Sequence, residues 1–190
     1  RKDYQKIYLM SVKGHTHKVL ETYLKQQIPA LKWFDKDKGQ FENISNHVMP
    51  FPAILFSYGN TPYTTMGNKV QKGAVTLRFR IGYENYADSF IGSINQEKAL
   101  DFFEFNEAVY KALQGLSTTY LRNLERSTDE DDTDHKNVIV TIMEFTGTLI
   151  DDSAEEGKNF TLVEPELDIK YKKELTRPAV VEDDEFIIPG

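Results

Sequence analysis

Tyr4, Ile7, Tyr8, Val12, Val19, Leu20, Tyr23, Leu24 and Ile28 recur at steps of three and four residues. That spacing predicts an amphipathic helix over about 3–28, open to interruption at Gly14, because such steps place apolar side chains on one helical face. Pro29 closes it, since proline lacks the amide donor and clashes with the preceding turn. "LKWFDKDKGQF" then sets two short apolar pieces around Asp-Lys-Asp-Lys-Gly, the chemistry of a hairpin turn. "PFPAILFSY" reads as a strand entered through Pro50 and Pro52, placed at a sheet edge or started by those prolines.

The cleanest alternation is "GAVTLRFRIGYE". Val75, Leu77, Phe79, Ile81 and Tyr83 point one way; Ala74, Thr76, Arg78, Arg80 and Gly82 point the other, as a sheet with one buried face requires. The preceding "GNTPYTTMGNKVQKG" is a turn-rich loop or a projecting hairpin. Ser93 and Gln96 match a capping box. They introduce a helix over 94–115 with Phe102, Phe105, Val109, Ala112, Leu113 and Leu116 in one stripe, widened by Leu100 and Phe103. Gly115 ends it. "STTYLRNLERS" predicts a further strand that runs into a loop, and residues 137–150 a long central strand with apolar side chains on both faces.

These elements specify an α/β (α+β) domain over 1–153. Its mostly antiparallel sheet carries helices on one face, and an extended C-terminal arm over 154–190 follows. The arm's prolines and its alternating Leu167, Ile169 and Tyr171, followed by Phe186, Ile187 and Ile188, suit pairing with an exposed sheet edge.

Charge narrows the function. The net charge is −7, from 23 basic and 30 acidic residues, a poor composition for gripping nucleic acid through its phosphates. The chain has no cysteine, which removes disulfides, thiolate zinc sites and thiol nucleophiles. No apolar run reaches the length of a membrane span. The start, Arg1 to Lys6, is polar and unlike a signal peptide.

Candidate chemistry centres on "RSTDEDDTDHKN", where five of the six residues 129–134 are acidic. Asp129, Asp131, Asp132 and Asp134 supply oxygens but lack the glycine and the distant glutamate of a calcium loop, so a solvated turn is expected and no metal. A metal-dependent hydrolase using these carboxylates with His135 is the rival reading. His15 and His17, two residues apart on a helix, diverge by about 160° and cannot share an ion. His47 and His135 read as surface histidines. Arg78 and Arg80 share one strand face, expected to meet solvent or another subunit. The chain contains neither a phosphate loop nor a nucleophile elbow, and no cofactor or catalytic residue is expected.

The order "IPALKWFDKDKGQFEN", "PFPAILFSY", "KGAVTLRFRIGYE", "KALDFFEFNEAVYKALQGL" and "LRNLERSTDEDDTDHKNVIVTIMEFTGTLIDDS" resembles a family of small tail proteins from bacteriophages and prophages of the Bacteroidetes. In layout it is similar to tail terminator (tail-completion) proteins of long-tailed phages. The likeness covers about residues 16–153, with the "LKW-D-D-GQ" stretch and the "D-H-K-N-V-I-V" strand start the most distinctive parts. It implies a non-enzymatic subunit of a ring, typically six-fold, that caps the tail tube and joins it to the neck or connector. DNA passes nearby without specific binding. Made in the bacterial host cytoplasm, such a subunit ends up in the virion. Another phage ring, such as a head-closure or tube-type protein, is the alternative. The expected contact residues are Arg78, Arg80, the acidic stretch and the arm.

Overall fold

The structure is a computed structural model that describes residues 10–44, 48–133, 135 and 138–155. The order is α1 (Val12–Gln27), β1 (Trp33–Lys36), β2 (Ala53–Tyr58), β3 (Tyr63–Gly67), β4 (Val70–Glu84), α2 (Gln96–Leu113), β5 (Leu121–Asp132) and β6 (Val138–Asp151). The sheet runs β1-β2-β4-β6-β5, with β3 paired to the start of β4. Among the described strands only β1 and β2 are parallel, so the mixed α/β fold with a mostly antiparallel sheet holds as expected.

Period-two burial fixes the sheet's two faces. Ile54 and Phe56 of β2, Leu77, Phe79 and Ile81 of β4, and Met143 and Phe145 of β6 face both helices and form the main core. Leu20 and Leu24 of α1, and Val109 and Leu113 of α2, meet them there, all four fully buried. Aromatic rings knit this layer: Phe79 lies 5.2 Å from Phe56 and 5.7 Å from Phe145, centroid to centroid. Such edge and tilted contacts add to what burial alone contributes.

α1 starts at Ser11, whose hydroxyl accepts from the Gly14 amide, and the helix passes through Gly14 unbroken. Residues 1–9 of the expected helix lie outside the described residues. The helix seats on β2 through Tyr58, whose hydroxyl donates to the Lys13 carbonyl at 3.0 Å. Burial pushes the Tyr58 phenol up to about 12. The folded value exceeds the unfolded one near 10, so this contribution to stability is intact below pH 10 and is lost as pH rises through 12. An ultraviolet pH titration is expected to show one tyrosine ionising about two units late and Tyr58→Phe removing it. A Tyr58→Phe titration curve identical to wild type would contradict this.

Three sequence expectations change. "LKWFDKDKGQF" makes a turn but no hairpin: β1 runs parallel to β2, and residues 37–44 and 48–52 cross the sheet face opposite the helices. The turn satisfies itself, with the Gly39 amide donating to Asp37 and the Gln40 amide group donating to the Lys36 carbonyl. Beyond the turn the chain is held by Phe41, which packs with Met49, Ala53, Leu55, Val138 and Val140 in a second, smaller core. The prolines start β2, which lies inside the sheet rather than at its edge, and the "GNTPYTTMGNKVQKG" stretch is the β3–β4 hairpin.

α2 begins at Gln96 with no capping side chain, because the Ser93 hydroxyl accepts from Asn95 and the Gln96 side chain turns away to Ser89. Its buried stripe is Ala99, Phe105, Val109 and Leu113, whereas Leu100 and Phe103 are exposed. Third, the acidic run is not a loop. β5 continues through Asp132, with Asp129 opposite Met143 and Asp131 opposite Thr141 of the central strand β6.

Candidate functional site

An acidic strand cannot gather its carboxylates, because successive side chains leave opposite faces. Asp129 and Asp131 turn toward the helices. Asp131 accepts from the Thr141 hydroxyl at 3.3 Å, and Thr141 in turn accepts from the Asn106 side chain at 2.8 Å. Asp129 pairs with Arg126 at 2.8 Å, and that guanidinium lies 3.9 Å over the Tyr110 ring. Glu130 and Asp132 turn the other way, toward Arg78 and Arg80 of β4. The expected cluster is therefore split by the sheet; Asp134, like His47, lies outside the described residues. Among the described residues no group of three or more histidines and carboxylates has the geometry to hold a metal ion.

On the face away from the helices the two arginines part company. Arg78 is half exposed, with Glu130 at 3.8 Å and Glu144 at 3.9 Å, distances that make loose surface pairs. Arg80, expected at a solvent or subunit surface, is instead buried, its side chain 7 % exposed. The segment that crosses this face covers it and brings the counter-charges. Glu42 accepts from it at 2.6 Å, Asp132 at 3.1 Å, and Asp37 stands 3.6 Å away. The Phe41 ring lies 5.4 Å from the guanidinium carbon, a cation–π contact.

His135, expected on the surface, is buried beside this group, with Nε2 2.9 Å from Asp132 and 3.3 Å from Arg80. Arg80 has only donors, so Nε2–H is assigned to donate to Asp132, leaving the Arg80 approach a packing contact. His135 also closes the turn into β6, its carbonyl accepting from Val138 at 3.0 Å.

Charge follows this geometry. The bond from Arg80 is the leading cause holding the Glu42 carboxyl below the usual carboxylate range; partial burial opposes it. Burial works against the Arg80 cation, but the bond to Glu42, with Asp37 and Asp132 behind it, outweighs that and raises its pKa. The group is an electrostatic lock between the first half of the chain (Asp37, Glu42), the middle (Arg80) and the β5–β6 end (Asp132, His135). Sequence reasoning missed the burial of Arg80 and His135, the pairing with Asp37 and Glu42, and the role of Gly82. A side chain at Gly82 would meet the Phe41 ring at 2.6 Å, so glycine there lets the crossing segment lie flat on β4. A glycine inside a strand is the one available signal of such a close approach.

The remaining surface is marked by apolar exposure. Between β4 and α2, Tyr86, Phe90, Ile91 and Ile94 are 73, 64, 95 and 99 % exposed, and Phe103 of α2 is exposed as well. Leu167, Ile169, Tyr171, Phe186, Ile187 and Ile188 of the arm lie outside the described residues. Among the described residues no helix is long and apolar enough to cross a membrane. Compared with known proteins, the chain matches no protein-family model and no curated protein.

Proposed function

We propose that the chain is a structural subunit of a bacteriophage virion, a tail terminator that assembles with copies of itself into a ring and caps the tail tube beneath the neck. The observation that carries this reading is the loop between β4 and α2. Four large apolar side chains within nine residues, Tyr86 to Ile94, stand in water, the densest run of exposed apolar residues among the described ones. Such a cluster marks a surface that another protein covers. The two outer strands of the sheet, β1 and β5, offer further places for a head-to-tail contact that closes into a ring. The resemblance in the order of elements supplies the phage tail as the setting. The acidic balance suits a conduit through which DNA must slide without being held.

Sedimentation velocity and native mass spectrometry of the full chain, alone and with tail-tube protein, are expected to show a closed ring, six-fold as the resemblance implies. Ile91→Asp with Ile94→Asp is expected to shift the population to monomer while leaving the thermal melt unchanged, because both side chains are already solvated in the subunit. A chain that stays monomeric at every concentration and beside tube protein would overturn the reading.

A further inference from the structure

The outer side of β5 is occupied along its first half and open along its second. The connection from α2 covers the first half: Gly115 donates to the Leu124 carbonyl, Leu124 to the Leu116 carbonyl, and the Gln114 side chain accepts from Arg126. From Ser127 to Asp131 no strand lies outside β5 among the described residues. Beside that stretch, on the helix side, a groove runs between α2 and β5, floored by Met143 and walled by Phe103 and Tyr110. The groove also carries Glu107, Asp129 and Asp131, so it is acidic as well as aromatic. An open edge next to such a groove is the geometry that accepts an added strand, through backbone bonds on one side and alternate side chains on the other.

We propose that this edge is the receptor for residues 167–173 of a neighbouring copy, which add a strand to it and so link subunits around the ring. The inference rests on the ring reading and names the contact that would close it. Two copies of the open edge cannot pair with each other, because Asp129, Glu130 and Asp131 would face their own kind, a like-charge arrangement that disfavours edge-to-edge pairing. The segment "LDIKYKK" has the opposite balance: Lys170, Lys172 and Lys173 against Asp168, three positive and one negative, or +2. Its alternation fits as well. Lys170 and Lys172 share one face and would enter the groove, where their ammonium groups meet Asp129 and Asp131 and their stems pack on Phe103 and Tyr110, which places Leu167, Ile169 and Tyr171 on the opposite face.

The test is complementation between two charge-reversed full-length chains, one with D129K/E130K/D131K and the other with K170E/K172E/K173E. Each alone is expected to lose rings in sedimentation velocity, at least tenfold in assembly midpoint. The two mixed are expected to regain them, since each arm then meets an edge of opposite charge. Hydrogen exchange on wild-type chain reports independently of whether the variants fold: amides 127–131 are expected to gain protection as concentration drives ring formation. Wild-type rings whose variants assemble unimpaired, or whose amides 127–131 gain no protection, would overturn the docking and leave the ring reading standing. Charge-reversed chains that fail to rescue each other, although both fold, would overturn the contact between copies. A wild-type chain that never assembles would overturn both.

Discussion

Arg80→Ala is expected to destabilise the domain by about 3 kcal/mol, the low end of what removing one partner from a buried ion pair costs. The low end applies because Glu42 and Asp132 keep part of their hydration, whereas Asp37 and His135 are more deeply buried. Urea unfolding should show the midpoint falling with the slope unchanged, as for a loss of stability without a change in exposed area. Arg80→Lys should recover only part of it, since an ammonium cannot reproduce the fork that reaches Glu42, Asp132 and Asp37 together. The pH dependence gives an independent check. The Glu42 carboxyl is held below its unfolded value, so its contribution is present above about pH 4.5 and is lost as pH falls through the folded value. Wild type should therefore lose stability on acidification in a way that Arg80→Ala does not, and the two unfolding curves should converge as pH falls through the folded value. Parallel curves across that range would mean that Arg80 contributes packing and no pairing.

The sheet's organisation was legible wherever one residue's neighbours in sequence are also its neighbours in energy. Val75, Leu77, Phe79 and Ile81 alternate because one face of β4 is buried, and β6 is apolar on both faces because it is central. The acidic run misled for a physical reason. Consecutive charges usually mean a solvated turn, but on an edge strand they divide between two faces. Those on the far face are balanced by β4, with Arg80 standing 52 residues before Asp132 in sequence. Nothing near Asp132 announces Arg80, and nothing near Arg80 announces Glu42. The turn at Asp35 to Gly39 was recognisable from its own hydrogen-bonding residues, yet a turn does not say where the chain goes next. That was decided by Phe41, which needs an apolar site and finds one only across the sheet. The exposed loop was unreadable for the converse reason: Tyr86, Phe90, Ile91 and Ile94 have no helical or strand period, and their exposure appears only once the core is seen to close without them.

Phe41→Ala is expected to cost about 3–5 kcal/mol, the range for truncating a buried phenylalanine. Its ring is 2 % exposed, lies 6.2 Å from the ring of Phe51 and from that of His135, and covers the guanidinium of Arg80. Truncation therefore opens a cavity and lets water onto the ion pair beneath, so both losses should appear in one variant. The close approach to Gly82 makes a sharper version of the test. Gly82→Ala places a methyl 2.6 Å from a ring that is confined on its other sides, and should cost about 1–3 kcal/mol through overpacking. In a Phe41→Leu background the same methyl enters space that the ring has vacated. The double variant should then be more stable than the sum of the single losses allows, by about 0.5–3 kcal/mol, the coupling expected of residues in direct contact. Additive losses in that thermodynamic cycle would show that the crossing segment is held by the Arg80 lock alone, and that the glycine in β4 serves some purpose other than admitting Phe41.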